Sequence, residues 1–256
     1  MLRNCSKPLF LLLAAALIPC AFAADQYTLE IVTQHPHDRE AFTQGLVYAD
    51  GELFESIGRR GKSALRRVDL ASGKVLAQTR VEDRYFAEGL ALVDNRLIQL
   101  TWKAGTGFIY DRKSLKQLGS FSYPGEGWGL TYDGVRLILS DGTPVLRFLD
   151  PDTFAQTGSL TVTHLGKPIS QLNELEMVNG EVWANLWRYD LIARIDPENG
   201  HVIGLINASE LRKNVTGLNK IDVLNGIAYD PSQKKLLLTG KLWPRIFEVK
   251  VHPATP

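Results

Sequence analysis

The sequence predicts an all-β fold, a five-bladed β-propeller with four antiparallel strands per blade, on three observations. A strand–turn–strand phrase recurs five times, a third strand and turn follow four of the copies, and helix signals are nearly absent. The phrases are "FTQGLVYADGELFES", "FAEGLALVDNRLIQL", "GWGLTYDGVRLILS", "NELEMVNGEVWANL" and "NGIAYDPSQKKLLLTG". Each alternates apolar and polar residues on both sides of a turn rich in Asp, Asn or Gly, the pattern of a tight hairpin. Residues at one phase of the phrase, Gln44, Glu88, Trp128, Asn173 and Asn225, lie 44, 40, 45 and 52 residues apart. That interval matches a blade of four strands.

Taken in order, the first 23 residues read as a secretory signal that is removed. Arg3 and Lys7 precede the apolar run "LFLLLAAALIP", and Ala21-Phe22-Ala23 offers a small-x-small cleavage site. The run is too short to span a bilayer, and Pro19 before Cys20 argues against a lipid-modified cysteine. Residues 24–256 are then expected as a single catalytic domain. "YTLEIV" at 27–32 is a lone strand ahead of the first repeat, and "RIFEVKV" ends the last repeat one strand short. The N-terminal strand is therefore expected to complete the last blade. The third strands of the other four repeats end in Asp69, Asp111, Asp150 and Asp196, whose carboxylates can hold the following turn. "NASELRKN" at 207–214 predicts one short turn of helix inside the longest interval.

Composition excludes several classes. Both cysteines, Cys5 and Cys20, fall in the segment to be removed, which leaves neither a disulfide nor a cysteine nucleophile. An exported chain without thiols suits a bacterial periplasm, or secretion, as its location. Net charge is +1 without a basic run, so a nucleic-acid partner is not expected. No second apolar stretch is long enough for a membrane helix, and a monomer is expected.

In a propeller the first strand of each repeat faces the central channel, so Gln44, Glu88, Trp128, Asn173 and Asn225 would form one ring. Fourteen residues on, the partner strands give Gly58, Trp102, Gly142, Trp187 and, after a two-residue insertion, Lys241. Two Trp, two Gly and a Lys at one phase are not core filling. The rings predict a pocket walled by Trp102, Trp128 and Trp187, with room left by the glycines and polar groups aimed inward, as in small-molecule sites. Glu88 beside Phe86 is costly if ionised and unpaired, and Lys241 is the available cation. Trp183 reads as packing. "HPHD" at 35–38 reads as a loop with solvated imidazoles rather than a metal site. His164, His201 and His252 have no ligand spacing, and GxSxG, phosphate-loop and zinc motifs are missing. The Asn-x-Ser/Thr triplets at 207 and 214 matter only in a eukaryotic secretory path.

The phrases "AFTQGL", "FAEGL", a Trp 14 residues on, "GEGWGLTYDG", "LNELE", "VWANLW" and "LNGIAYD…LLLTGKLWP" resemble the plant-type glutaminyl-peptide cyclotransferases, or glutaminyl cyclases, which bacteria also carry. The resemblance covers essentially all of the expected mature chain. It implies a five-bladed propeller and an acyltransferase that converts the N-terminal glutamine of peptides or proteins to pyroglutamate with release of ammonia. It implies no cofactor and no metal, unlike the zinc-dependent animal-type enzymes. The pocket residues it implies are Phe42, Gln44, Phe86, Glu88, Trp102, Trp128, Asn173, Trp187 and Lys241. In that reading Glu88 shuttles the proton from the attacking amine to the leaving ammonia, and Gln44, Asn173 and Lys241 position the amide and stabilise the oxyanion. Phe42, Phe86 and the three Trp clamp the substrate. Two rivals stand beside it. A calcium-dependent propeller lactonase would use Glu88, Asn173 and Asn225 as oxygen ligands and lose activity to a chelator. A non-catalytic periplasmic binding module would be indifferent to Glu88→Gln.

Overall fold

The computed structural model describes residues 24–215, 217 and 220–254, so the expected signal segment 1–23, with both cysteines, lies outside the described residues. A long strand β1 (Asp25–Pro36) leads into β2 (Thr43–Ala49), β3 (Glu52–Ile57), β4 (Ala64–Val68) and β5 (Val75–Arg80). Next come β6 (Ala87–Val93), β7 (Arg96–Thr101), β8 (Thr106–Asp111) and β9 (Gln117–Ser122), then β10 (Leu130–Tyr132), β11 (Leu137–Leu139), β12 (Val145–Leu149) and β13 (Gln156–Thr161). A small hairpin, β14 (Thr163–His164) and β15 (Lys167–Pro168), precedes β16 (Leu172–Val178), β17 (Glu181–Leu186), β18 (Leu191–Ile195) and β19 (Val202–Asn207). The chain ends with helix α1 (Ser209–Val215), at the site of the "NASELRKN" signal, and strands β20 (Leu224–Asp230), β21 (Lys235–Gly240) and β22 (Arg245–Pro253).

Local chemistry explains these boundaries. In the β2–β3 and β16–β17 hairpins, Asp50 and Gly51 (φ 53° and 80°) and Asn179 and Gly180 (φ 51° and 84°) are all left-handed. That is the mirror-image turn whose twist matches the flanking strands. After the third strands, Asp69, Asp111 and Asp150 accept hydrogen bonds from the hydroxyls of Ser72, Ser114 and Thr153 and from their amides (2.8, 2.8 and 2.7 Å), and these bonds together hold each carboxyl below its usual range.

The expected five-bladed propeller of four-stranded blades is corrected by the hydrogen-bonded sheets. Three are four-stranded, β2-β3-β4-β5, β6-β7-β8-β9 and β10-β11-β12-β13, and β14-β15 is two-stranded. The remaining strands form a single eight-stranded sheet in the order β16-β17-β18-β19-β1-β22-β21-β20. The cause is β1, which pairs antiparallel with β22 on one edge and parallel with β19 on the other. A repeat reports the phase of its strands but not which free edge a flanking strand will occupy. The eight-stranded sheet curls into a nearly closed, barrel-like shape until its end strands β16 and β20 lie side by side. Carboxylates bridge them: Glu174 accepts from Ile227 N (2.8 Å) and Glu176 from Tyr229 N (2.9 Å). Burial pushes Glu176 up to about 8, and burial together with the Glu176 charge pushes Glu174 well above the ordinary carboxylate range.

The apolar cores lie between successive sheets. Val47, Phe54 and Leu65 pack on Leu90, Leu97 and Phe108, and Ile138 and Leu146 pack on Leu175 and Val182. Each such side chain contributes about 1.5–3 kcal/mol by leaving water. The first strands β2, β6, β10, β16 and β20 lie innermost around a common hub. Their backbones approach so closely that a side chain at Gly45 or Gly89 would strike the main chain at Leu90 or Leu130 of the next strand. A cavity of about 390 Å³ at the C-terminal ends of these strands is lined by Tyr48, Thr131, Glu176 and Tyr229 among others.

The "HPHD" segment also departs from expectation. His37 is buried, with Nε2 2.9 Å from Glu55 Oε1 and Nδ1 2.8 Å from the Trp243 carbonyl oxygen. Both partners are acceptors when Glu55 is ionised, so both ring nitrogens must carry protons. Burial alone would lower the His37 pKa, but the Glu55 carboxylate outweighs it and raises it. Glu55 itself resists the upward pull of burial and is held low by His37. A "loop of histidines" is a solvent signal only when no buried acid comes to meet it, and Glu55 is 18 residues away in sequence.

Candidate active site

At the N-terminal ends of the innermost strands, a cavity of about 250 Å³ is lined by Phe42, Gln44, Phe86, Glu88, Trp102, Trp128, Asn173, Trp187, Asp222 and Lys241. The structure thus brings together all nine side chains expected at the site. Gln44 lies on β2, Glu88 on β6 and Asn173 on β16, each the second residue of its strand, while Lys241 follows β21 directly. All four are at most 5% exposed. Asn225 sits at the same phase on β20 but behind the pocket wall. Its Nδ2 donates to the Thr43 carbonyl oxygen (3.0 Å) and to Gln44 Oε1 (3.5 Å), which turns the other end of the Gln44 amide toward Glu88. Gln44 Nε2 donates to Glu88 Oε1 at 3.0 Å.

The electrostatics follow from this burial. Desolvation pushes the Glu88 carboxyl well above the usual range; Lys241 opposes the shift and Glu126 adds to it. Desolvation likewise lowers the Lys241 ammonium pKa against the pull of Glu88 and Asp222. Glu88 and Lys241 do not come within 4.0 Å as an ion pair and act on each other across the cavity. Asn173 Oδ1 is a buried acceptor without a partner among the described residues.

The aromatic wall is a connected circuit. Phe42 meets Phe86 edge-on (6.0 Å, 84°), Phe86 meets Trp102 (5.8 Å, 66°) and Trp128 meets Trp187 (5.4 Å, 82°), the geometry that ring quadrupoles favour. Glu126 joins the two halves. One of its oxygens accepts from both Trp102 Nε1 (2.7 Å) and Trp128 Nε1 (2.9 Å), and Arg147 pins the Glu126 main-chain carbonyl. Sequence reasoning missed Glu126, although "GEGW" placed it two residues before a wall Trp. It missed Asp222 as well, which lies in the long interval outside any repeat.

The role expected of the glycines is corrected. They do not leave room for a ligand; the wall rings themselves fill that space. A methyl at Gly58 would overlap the Phe86 ring, and one at Gly142 would come 2.7 Å from the Trp128 ring. Trp243, similar in composition, packs over Gly240 with its Nε1 donating to Asp222 O (2.9 Å) and lines no part of the cavity. Gly58→Ala is therefore expected to displace Phe86 and lower kcat/KM about tenfold, with an overpacking cost of about 1–3 kcal/mol visible as a lower Tm. Unchanged kinetics would mean that Phe86 is not part of the working wall.

A buried carboxyl with a raised pKa, facing a buried ammonium across an aromatic-lined cavity, is the arrangement of a site for proton-transfer chemistry. The chain belongs to the glutamine cyclotransferase family, whose family model matches residues 9–251. It is 46% identical over 231 residues to a glutaminyl-peptide cyclotransferase of Arabidopsis thaliana, covering 89% of this chain and 72% of that one. It also resembles the crystal structure of Myxococcus xanthus glutaminyl cyclase, with a TM-score of 0.86 and 40% identity over 91% of this chain and 100% of the other.

Proposed function

We propose that the Glu88 cavity is where this chain carries out its glutaminyl-peptide cyclotransferase activity, closing the N-terminal glutamine of a peptide or protein to pyroglutamate and releasing ammonia. The single observation that supports this most is the buried Glu88 carboxyl held by Gln44 inside an aromatic pocket. The reaction is intramolecular: the substrate's α-amine attacks its own side-chain amide carbon, the C–N bond to the amide nitrogen breaks, and that nitrogen leaves as ammonia. The protein's first task is to hold the glutamine curled, and orientation of this kind is worth many kcal/mol. Its second is to move one proton from the attacking to the departing nitrogen, which a single carboxylate near both can do.

Glu88 takes that role, and its raised pKa makes it a stronger base when ionised and a ready acid once protonated. Lys241 is the donor best placed to steady the oxyanion, because Gln44 Nε2 is already given to Glu88. The open acceptor Asn173 Oδ1 suits a substrate N–H. The aromatic circuit clamps the glutamine methylenes and keeps out the water that would otherwise give plain deamidation. Family membership removes the support for the lactonase and binding-module readings. A removed leader at residues 1–23, a periplasmic or secreted location and a monomeric state belong to the same proposal. Among the described residues no helix is long and apolar enough to cross a membrane.

The direct test is to incubate the purified protein with a Gln-initiated peptide and follow ammonia release and a loss of about 17 mass units, the balance of that chemistry. Intact peptide would end the proposal. Glu126 gives a finer test. Its charge raises the Glu88 pKa, so Glu126→Gln, which keeps an oxygen for the two indoles, is expected to move the acidic limb of the kcat/KM profile to lower pH. A limb that stays in place would separate Glu126 from the chemistry.

A further inference from the structure

Resting on the cyclotransferase reading of the cavity, we infer that its mouth selects substrates with an acidic side chain at the second residue, through Arg59 and Arg188. The residue one position after the second ring is Arg59, Lys103, Thr143, Arg188 and Leu242 in the five repeats. Three of the five are cations, and each stacks on a ring of the pocket wall. The Arg59 guanidinium lies 4.5 Å from the Phe42 centroid, Lys103 Nζ 4.4 Å from Trp102 and the Arg188 guanidinium 4.2 Å from Trp187. Stacking fixes a flexible side chain at low entropic cost and leaves its N–H donors facing outward.

Only two of these charges are available to a ligand. Lys103 is paired with Glu126 at 3.5 Å. Neither Arg59 nor Arg188 has a carboxylate partner within 4.0 Å among the described residues. Both adopt left-handed backbone, at φ 86° and 72°. A non-glycine residue pays for that conformation, and here it returns each arginine over the ring of its own repeat or its neighbour. Three acids near the mouth are already engaged: Glu126 with two indoles and Lys103, Asp141 with Arg147 at 3.5 Å, and Asp222, which faces Lys241.

Substrate geometry supplies the rest. With the first residue's amine and side-chain amide both turned to Glu88, the chain can leave only through its own carbonyl toward the open mouth. The second side chain then crosses the stacked rim, where the positive field of the two guanidinium groups attracts a carboxylate and repels an ammonium.

The test compares kcat/KM for Gln-Glu, Gln-Ala and Gln-Lys peptides of otherwise identical sequence. In the unmodified enzyme Gln-Glu is expected to exceed Gln-Lys about tenfold at low salt, mainly through KM, with the gap shrinking at high ionic strength. The double variant Arg59→Gln, Arg188→Gln is expected to bring the ratio to within about twofold, whereas Arg60→Gln, an exposed neighbour, leaves it in place. Each ratio is taken within one protein, so a partly unfolded variant does not distort it. A ratio near one in the unmodified enzyme, or one that survives the double substitution, overturns the inference. Failure to cyclise Gln-Ala at all would instead overturn the functional reading beneath it.

Discussion

Glu88→Gln is expected to lower kcat by about 10²–10⁴-fold, the usual weight of a positioned general acid–base group, while the protein stays folded. The amide keeps the size of the carboxyl and can still face Gln44 Nε2, but it cannot accept the amine proton. Stability should move the other way. The folded-state pKa of Glu88 is raised by burial, so the unfolded chain gives up its proton first. Glu88 thus supports the fold fully below about pH 4.3, its unfolded value, and that support is lost as pH rises toward the folded value. Removing the group should leave Tm at or above that of the unmodified protein, by a margin that widens with pH above about 4.3. Steady-state ammonia release and calorimetry across pH read both effects. A variant that stays folded with kcat within tenfold of the unmodified enzyme would remove Glu88 from the proton pathway.

The second large effect concerns the fold beneath the site. Glu55→Ala is expected to cost about 3–5 kcal/mol, because it strips the partner from the buried imidazolium of His37 and the acceptor from Thr43 Oγ1 (2.8 Å). For a chain of this size that is a Tm loss of roughly 10 °C. His37 also reaches Thr239 and the Trp243 carbonyl, so the pair ties β2, which carries Gln44, to the turn that carries Lys241. Activity should fall with stability. The pH dependence has two edges. Glu55 is lowered, so its contribution is lost as pH falls through its folded value, below the ordinary carboxylate range. His37 is raised, so its contribution is lost as pH rises through its folded value, above 6.5. The variant should show neither edge in a Tm–pH profile; one that keeps both would place the stabilisation elsewhere.

How much of this was legible depends on range. The hairpins, the Asp-held turns and the short helix are local, and their signals sit within a few residues of the structure they specify. Asp50-Gly51 and Asn179-Gly180 are both left-handed, as such pairs favour in two-residue hairpin turns. The site was legible for a related reason: a strand fixes which face a side chain takes, so Gln44, Glu88 and Asn173 at one phase of successive repeats had to converge once the inner strands met. Glu126 escaped because its role is to join neighbouring Trp128 to Trp102, 24 residues away in sequence, and Asn225, at the same phase as the pocket polar groups, lies behind the wall because phase gives direction but not depth. The glycines of the second ring were read as empty space when Phe86 and Trp128 occupy it.

The amino-acid order by itself determined an all-β chain of five related hairpins with an acid, two amides and a lysine at matching positions, because alternation and turn chemistry act over distances shorter than a hairpin. Only the tertiary structure decided that β1, expected beside β22, also pairs with β19 to make one eight-stranded sheet, that His37 meets Glu55, and that Glu126 couples two walls of the pocket. Those choices are between free edges and buried partners far apart in the chain, and they are settled by which arrangement pairs the most buried donors and acceptors.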